Sequence, residues 1–394
     1  MQGRILTKRI LFAEGDGVGP EVVDAARRVI DAGVEKAYHG KRRVEWEEVY
    51  IGSKAMSRFG NRIPDISVRR IKEAGMLFKG PVETPVGIGF RSINVFLREA
   101  LDLYANIRPV KHLDGVPSPL ADPKSVDMVI FRENTDDLYT GIEWQYKSTG
   151  AAKLRKIVHK ELGVELEGDA GLGIKQISKA KTVRITKAAI DYAIMNKRKS
   201  ITIMHKGNIM KYTEGAFREW AYETAAKFYK GKVVTEEEVL KRHNGVTPKG
   251  RVLIKDRIAD NLLQQIILKP GAYDIILAPN VNGDYISDAA GALVGNIGVL
   301  GSIDAGDSGA MFEPVHGTAP KYAGMNVANP MGAISAGKLM LEYIGWGDAG
   351  RIVWKAVEKA IKARKVTRDL ASGLHVMPLG TSEFADAVVD AIKG

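Results

Sequence analysis

Short apolar runs recur along the chain with helical patterns between them, and this alternation most restricts what it can fold into. Ile10–Ala13, Gly75–Phe78, Leu103–Ile107, Asp127–Phe131, Ile201–His205 and Asp274–Ala278 have strand length and largely apolar character. Pro20–Ala32 reads instead as a helix, with Pro in its first turn and Val22, Val23, Ala26 and Val29 on one face. Ile185–Met195 and Thr213–Phe228 are further helical stretches. Strands alternating with helices predict an α/β architecture. A chain of 394 residues has room for two domains or one large two-lobed unit.

In open α/β sheets, chemistry gathers beyond the carboxyl ends of the strands. That rule singles out Lys79 after Phe78, Arg108 after Ile107, Arg132 after Phe131 and Lys206 after His205. It also selects Asn280, Asn282 and Asp284 after Ala278. The predicted strand ends thus deliver cations, amides and a carboxylate, where a purely structural edge would present apolar or turn residues.

Composition narrows the function classes. There is no cysteine, which excludes disulfides, thiol nucleophiles and Cys-zinc sites and fits a cytosolic protein. No apolar run has the length of a membrane span. Ile10–Ala13 is too short for a signal-peptide core and meets Glu14, so it reads as a first strand. The formal net charge is +11, compatible with nucleic acid, an anionic surface or anionic small ligands. The densest cluster, Lys197-Arg198-Lys199, reads as a solvated helix end, because no recognition helix or stacking aromatics accompany it. No nucleic-acid or membrane partner is expected.

Four motifs carry candidate chemistry. Gly15, Gly17 and Gly19 follow the first strand, but they miss the spacing of a dinucleotide fingerprint and Pro20 removes an N–H. A tight strand-to-helix turn near the cofactor edge is expected there. Ser92, Asn94 and Arg98 sit near one helix start, where Ser92 is either an N-cap or a carboxylate ligand. Arg98, Arg108 and Arg132 together supply three guanidinium forks suited to a polyanionic small substrate. Asp284 and Asp288 stand at i and i+4 on one helix face, as either solvated acids or oxygen ligands for Mg²⁺ or Mn²⁺. Asp260 is a candidate third ligand or a salt-bridge partner. Finally, Gly317, Thr318 and Pro320 lie beside His316 and Lys321, either as a structural loop or as a place where backbone N–H groups approach phosphates.

Taken together the chain resembles the β-decarboxylating dehydrogenase family, and within it the NADP-dependent isocitrate dehydrogenases. Seven blocks carry the resemblance: Lys79–Val86, Arg91–Asn94, Asp102–Pro109, Phe131–Tyr139, His205–Asn208, Asn282–Asp288 and His316–Tyr322. The resemblance runs from Gly15 to Phe384. It implies a non-Rossmann, two-domain fold of the isocitrate/isopropylmalate dehydrogenase type. The large domain would be discontinuous, residues 1–103 and 295–394. Residues 104–294 would form the small domain, with an inter-subunit clasp at about 137–178.

The same resemblance implies site roles. Ser92 and Asn94 would hold the γ-carboxylate of isocitrate, and Arg98, Arg108 and Arg132 the other carboxylates. Asp260, Asp284 and Asp288 would bind Mg²⁺ or Mn²⁺, and Lys206 and Tyr139 would be the acid–base pair. The family is homodimeric, with Lys206, Asn208 and Asp260 reaching a partner's site. Lys79, Thr84, Asn94, Glu313, His316, Gly317, Thr318, Ala319, Pro320, Lys321, Tyr322, Asn329 and Arg368 would serve NADP. Lys321-Tyr322 suits the 2′-phosphate, whereas an Asp-Ile pair would favour NAD. Arg368 and Ser372 depart from the Tyr and Arg of the best-known bacterial NADP forms. Isopropylmalate, homoisocitrate or NAD-dependent isocitrate oxidation are the rivals, and Ser92 with Asn94 disfavours the branched isopropylmalate. The expected reaction is oxidative decarboxylation of isocitrate to 2-oxoglutarate and CO₂.

Overall fold

The computed structural model describes residues 5–84 and 92–394. Its strands are β1 (Leu6–Ala13), β2 (Arg42–Glu48), β3 (Met76–Lys79), β4 (Ala105–Lys111), β5 (Asp127–Glu133), β6 (Glu143–Trp144), β7 (Leu172–Gly173), β8 (Ser200–His205), β9 (Val233–Thr235), β10 (Val252–Ile258), β11 (Ile275–Ala278), β12 (Gly301–Ala305) and β13 (Ala310–Pro314). Eleven of them form one sheet in the order β2-β1-β3-β13-β12-β4-β5-β11-β8-β10-β9. The α/β expectation therefore holds, and the predicted strands and helices occur with longer or shifted ends. The first helix, for example, runs Gly19–Tyr38.

The sheet has two parallel wings joined by an antiparallel middle. β2, β1, β3 and β13 are mutually parallel, as are β5, β11, β8, β10 and β9. Between the wings, β13-β12, β12-β4 and β4-β5 are antiparallel. Three successive reversals make the wings run in opposite directions, so their carboxyl ends lie at opposite edges. This corrects the strand-end reading. Arg108 does not follow a strand but sits in the middle of β4, opposite Ile130. Arg132 is likewise inside β5, opposite Asn106. The proposed domain boundary falls between β12 and β4, in the antiparallel middle.

Helices cover both faces. On the first wing, Val22, Ala25, Ala26, Val29 and Ile30 of the Gly19–Tyr38 helix pack with Phe78 and Phe312, with Ile334 of the Met331–Tyr343 helix and with Val353 of the Gly347–Lys362 helix. The opposite face carries Leu77 and Met311 under Ile93 and Leu97 of the Ile93–Ala100 helix. On the second wing, Val129, Phe131, Ile203 and Leu277 pack against Ile185 and Ala189 of the Lys179–Met195 helix and Phe217 of the Glu214–Phe228 helix. Glu143–Trp144 and Leu172–Gly173 form a separate antiparallel pair flanking the Thr149–Leu162 helix. This segment exposes Ile157, Leu162, Val164 and Ile174.

Close helix–sheet packing depends on missing side chains. A Cβ on Gly301 of β12 would lie 2.2 Å from the backbone N of Ala336 and 2.7 Å from the carbonyl carbon of Ser335. Those are backbone atoms of a buried helix, so no side chain can swing away. Gly301→Ala should therefore cost about 3 kcal/mol or more, at or above the usual overpacking range. Urea unfolding checks this, and a loss below about 1 kcal/mol would contradict it.

Candidate active site

Lys79, Arg98, Arg108, Arg132, Asp284 and Glu313 converge on one face of the antiparallel middle. Residues directly opposite across paired strands share a face, as do residues two apart along a strand. Asp304 lies opposite Asn106, and Asn106 opposite Arg132. Arg108 is two residues beyond Asn106, while Glu313 pairs with Ser302, two before Asp304. A row of polar side chains thus crosses the middle of the sheet. The Ile93–Ala100 and Asn280–Leu293 helices bring further polar groups onto this face.

One end of the row is an ion network. Lys79 Nζ pairs with Glu313 and donates to the carbonyl of Gly80 at 3.2 Å. Arg98 Nη2 reaches Glu313 Oε1 at 3.2 Å, and its Nε is 3.1 Å from Asp304 Oδ1. Asp304 Oδ1 also accepts from Asn106 Nδ2 at 2.9 Å and Asn134 Nδ2 at 2.6 Å. Burial pushes the Asp304 carboxyl up despite Arg98. Burial acts the same way on Glu313, but Lys79 and Arg98 outweigh it and hold that carboxyl down. Of the two carboxyls, Glu313 is thus the more acidic and Asp304 the less.

The other end is a guanidinium cluster around one carboxylate. Arg132 Nη1 pairs with Asp284 Oδ1, and Arg108 Nη2 lies 3.6 Å from the same oxygen. Tyr139 donates its hydroxyl to Asp284 Oδ2 at 2.6 Å. Arg108 also donates to Ser287 and, at 2.7 Å, to Asn106 Oδ1, and its Nη1 lies 3.5 Å from Asp288. Arg132 Nε donates to Asn280 Oδ1 at 2.8 Å. Burial, together with the neighbouring cations Arg108 and Arg98, pulls Arg132 down to about 10. Its Nη2 is buried without a hydrogen-bond partner among the described residues. A buried cation so weakened marks a site short of negative charge. Burial raises the Tyr139 hydroxyl, aided by Asp284, so it stays protonated near neutrality.

Asp284 and Asp288 do lie on one helix, within the Asn280–Leu293 span. Burial would raise Asp284, but Arg132 and Arg108 hold it below the ordinary carboxylate range. Burial raises Asp288. Asp260 is elsewhere. It is exposed and pairs with Lys206 Nζ at 2.6 Å. No group of three His, Asp or Glu among the described residues is placed to hold a metal. The donor chemistry of Asp284 and Asp288 nevertheless fits a hard, oxygen-seeking divalent cation that takes its remaining ligands from substrate.

Lys206 follows β8 directly, as the strand-end rule predicts, and Asn208 beside it is exposed. The turn is held from below. Glu214 accepts the Lys206 backbone N–H at 2.5 Å and Asn282 Nδ2 at 2.8 Å. His205 Nδ1 accepts the Gly207 N–H at 3.0 Å, while its Nε2 meets Asp256 at 3.0 Å.

The early glycines make no fingerprint loop. Gly17 has φ 61°, and a Cβ there would meet the Thr318 carbonyl oxygen at 2.0 Å. Val18 N–H donates to that same carbonyl at 2.9 Å. The turn is thus packed against the Gly317–Thr318 loop, as expected of a structural turn. Pro320–Tyr322 forms a short 3₁₀ turn with Lys321 Nζ 4.8 Å from the Tyr322 ring centre. Ala319 has φ 39°. His316 Nδ1 contacts the Gly317 carbonyl at 2.9 Å, and burial keeps the ring neutral more readily. Arg368 is exposed at the start of the Arg368–Leu374 helix. Asn329 donates to Asp369, the residue after Arg368, at 2.9 Å. Ser92 flanks the Ile93–Ala100 helix but makes no side-chain cap; Thr84 Oγ1 donates to its hydroxyl at 3.1 Å. Asn94 Oδ1 is buried and lacks a partner among the described residues. Pro85, Val86 and Arg91 of the quoted blocks lie outside the described residues.

Comparison with known proteins fits this geometry. The model of the isocitrate/isopropylmalate dehydrogenase family matches residues 9–388. This chain belongs to the isocitrate/isopropylmalate dehydrogenase family. The NADP isocitrate dehydrogenase of Caldococcus noboribetus is 51% identical over 386 residues, covering 98% of this chain and 90% of that protein. That of Archaeoglobus fulgidus is 50% identical over 384 residues, covering 98% and 92%. The crystal structure of isocitrate dehydrogenase from Methylococcus capsulatus superposes with a TM-score of 0.82 at 35% identity, covering 98% of this chain and 99% of that one. The family's non-Rossmann architecture is the one described above.

Sequence reading missed Asp304, Asn106, Asn134 and Glu214. Asp304 in the run Gly301-Ser-Ile-Asp-Ala305 carried a signal, since a carboxylate inside a short apolar strand needs a partner. Removing it would leave Arg98 short of a contact and Asn106 and Asn134 short of an acceptor. Asp304→Ala should cost about 3–5 kcal/mol in urea unfolding, the range for breaking a buried ion pair, and Asp304→Asn clearly less. Equal losses for the two variants would show that shape, not charge and acceptor capacity, is what matters there.

Proposed function

We propose that the chain oxidises isocitrate to 2-oxoglutarate and CO₂ with NADP as hydride acceptor, in the cytoplasm and as a homodimer. The observation that carries this is the trio Arg98, Arg108 and Arg132, buried on one face beside Asp284, with one guanidinium weakened by burial and by its neighbouring cations. Such a site favours a ligand with several carboxylates. Ser92 and Asn94 at the start of the Ile93–Ala100 helix are the groups for the γ-carboxylate that distinguishes isocitrate from isopropylmalate. The isocitrate dehydrogenases named above support the same assignment.

Asp284 and Asp288 would hold Mg²⁺ or Mn²⁺, with Asp260 from a second copy of the chain. When bound, that ion supplies Lewis acidity to the substrate hydroxyl and to the enolate left by decarboxylation. The side chains do the remaining work. The arginines fix the carboxylates and orient the carbon that loses hydride. Lys206 of the second copy accepts the hydroxyl proton as general base. Tyr139, protonated and held by Asp284, returns a proton to the enol carbon. Asn208 contacts substrate from the same neighbouring turn. The exposed apolar groups of residues 137–178 are the proposed clasp between the copies, and the domains divide at about 103/104 and 294/295.

For NADP, Lys321 and Tyr322 would take the 2′-phosphate with help from Arg368. The loop Gly317-Thr318-Ala319-Pro320 and His316 would line the adenosine side, and Asn329 would complete it. Lys79, Thr84, Asn94 and Glu313 would meet the nicotinamide end. Reduced-nicotinamide absorbance with isocitrate, Mg²⁺ and each cofactor in turn tests the reading directly. Isocitrate with NADP should turn over fastest, and faster turnover of isopropylmalate would overturn the assignment. The double change Lys321→Asp, Tyr322→Ile should move the kcat/KM ratio toward NAD, and an unmoved ratio would remove those residues from cofactor choice.

A further inference from the structure

The amino ends of the second wing form a cleft at the sheet edge away from Lys206. Lys197, Arg198 and Lys199 lead into β8, residues 247–251 lead into β10, and residues 271–274 lead into β11. These strands are parallel, so their amino ends share an edge and Lys206, at β8's carboxyl end, lies at the other. The cleft has a volume of about 1010 Å³. That is at the upper end of the roughly 300–1,000 Å³ typical of small-ligand sites.

Its charge is lopsided. Seven cations line it against two carboxylates, which leaves five positive charges. Both carboxylates are already engaged. Asp127 pairs with Arg198 at 2.8 Å and Lys111 at 2.7 Å, and Asp274 pairs with Arg198 at 2.8 Å. Lys197, Lys199, Lys232, Lys249 and Arg251 have no carboxylate within ion-pair distance among the described residues, and all five are exposed. Behind them Lys255 is buried, with Nζ donating to the Ala272 carbonyl at 2.8 Å and lying 4.8 Å from the Tyr273 ring centre. Burial and Arg257 pull its ammonium below the ordinary value. Three separate chain segments, at residues 197–199, 232 and 249–255, thus bring to one concave surface cations that nothing among the described residues neutralises. The sequence run Lys197–Lys199 alone reads as a solvated helix end; the folded structure adds Lys232, Lys249, Arg251 and Lys255 to it.

We infer that this cleft is a second binding site, for a small polyphosphate anion. Ammonium and guanidinium groups from separate segments can each meet a different phosphoryl group, and Thr247 and the turn at Gly250, with φ 80°, allow close approach. A flat nucleic-acid platform is disfavoured, because the ring of Tyr273 is buried and already faced by Lys255. Binding here does not rest on the proposed reaction, since the readout needs no turnover.

The test is calorimetric titration of inorganic tripolyphosphate into the full chain, in metal-free buffer at physiological ionic strength. Wild type should bind saturably. The double variant Lys249→Glu, Arg251→Glu should bind at least about tenfold more weakly, equivalent to about 1.4 kcal/mol. Circular dichroism and retained isocitrate oxidation verify its fold, and Lys232→Glu, on a separate segment, is the second variant. Lys321→Asp should leave the affinity unchanged, because that residue belongs to the proposed cofactor loop. The inference is overturned by no saturable binding to wild type, by unchanged affinity in both cleft variants, or by loss of binding in Lys321→Asp. Tighter binding of a single-stranded oligonucleotide than of tripolyphosphate, sensitive to the same cleft substitutions, would also overturn it.

Discussion

The contact between Arg132 and Asp284 ties the site to the fold. Arg132 projects from the inside of β5, and Asp284 from the first turns of the helix that follows β11. Gly283 makes the approach possible, since a Cβ there would lie 2.6 Å from Arg132 Cγ. Tyr139 and Arg108 join the same carboxylate, and Arg108 links through Asn106 to Asp304, Arg98 and Glu313. One polar network therefore runs from the helix of the proposed metal ligands to the proposed nicotinamide side. Its arginines, with Asn106, Asp304 and Glu313, are buried, so those groups are held largely by each other rather than by water.

The network is charge-imbalanced, and the imbalance gives it a function. Arg98, Arg108, Arg132 and Lys79 face Asp284, Glu313, Asp288 and Asp304, and burial raises the last two carboxyls, so positive charge is in surplus wherever those two keep a proton. Neutralising the surplus is the physical role left for a tricarboxylate. Substrate carboxylates that take over Arg132 and Arg108 would release Asp284 from its ion pairs and make it available to a divalent cation. Substrate and metal should therefore help each other to bind, as linked equilibria require.

Much of this was legible in the chain. Strand-length apolar runs predicted the α/β sheet, and the spacing of Asp284 and Asp288 placed both on one helix. Lys206 emerged where the strand-end rule put it. The rule failed at Arg108 and Arg132, and the reason is topological. It assumes parallel strands with one common carboxyl edge, whereas β12 and β4 reverse the sheet. The site then forms on a face, through cross-strand neighbours such as Asn106 and Arg132 that are distant in sequence. Period-two patterning within one strand cannot reveal that register. Asp304 and Glu214 were passed over for a related reason: neither belongs to a spaced set within its own segment, and the role of each comes from partners in other elements.

The linkage between substrate and metal offers the most direct test. Mn²⁺ is titrated into the protein by calorimetry, without cofactor, first alone and then with saturating isocitrate. The account predicts weak binding of Mn²⁺ alone, because Asp284 is held by Arg132 and Arg108, and markedly tighter binding once isocitrate is present. Equal Mn²⁺ affinity with and without isocitrate would contradict it.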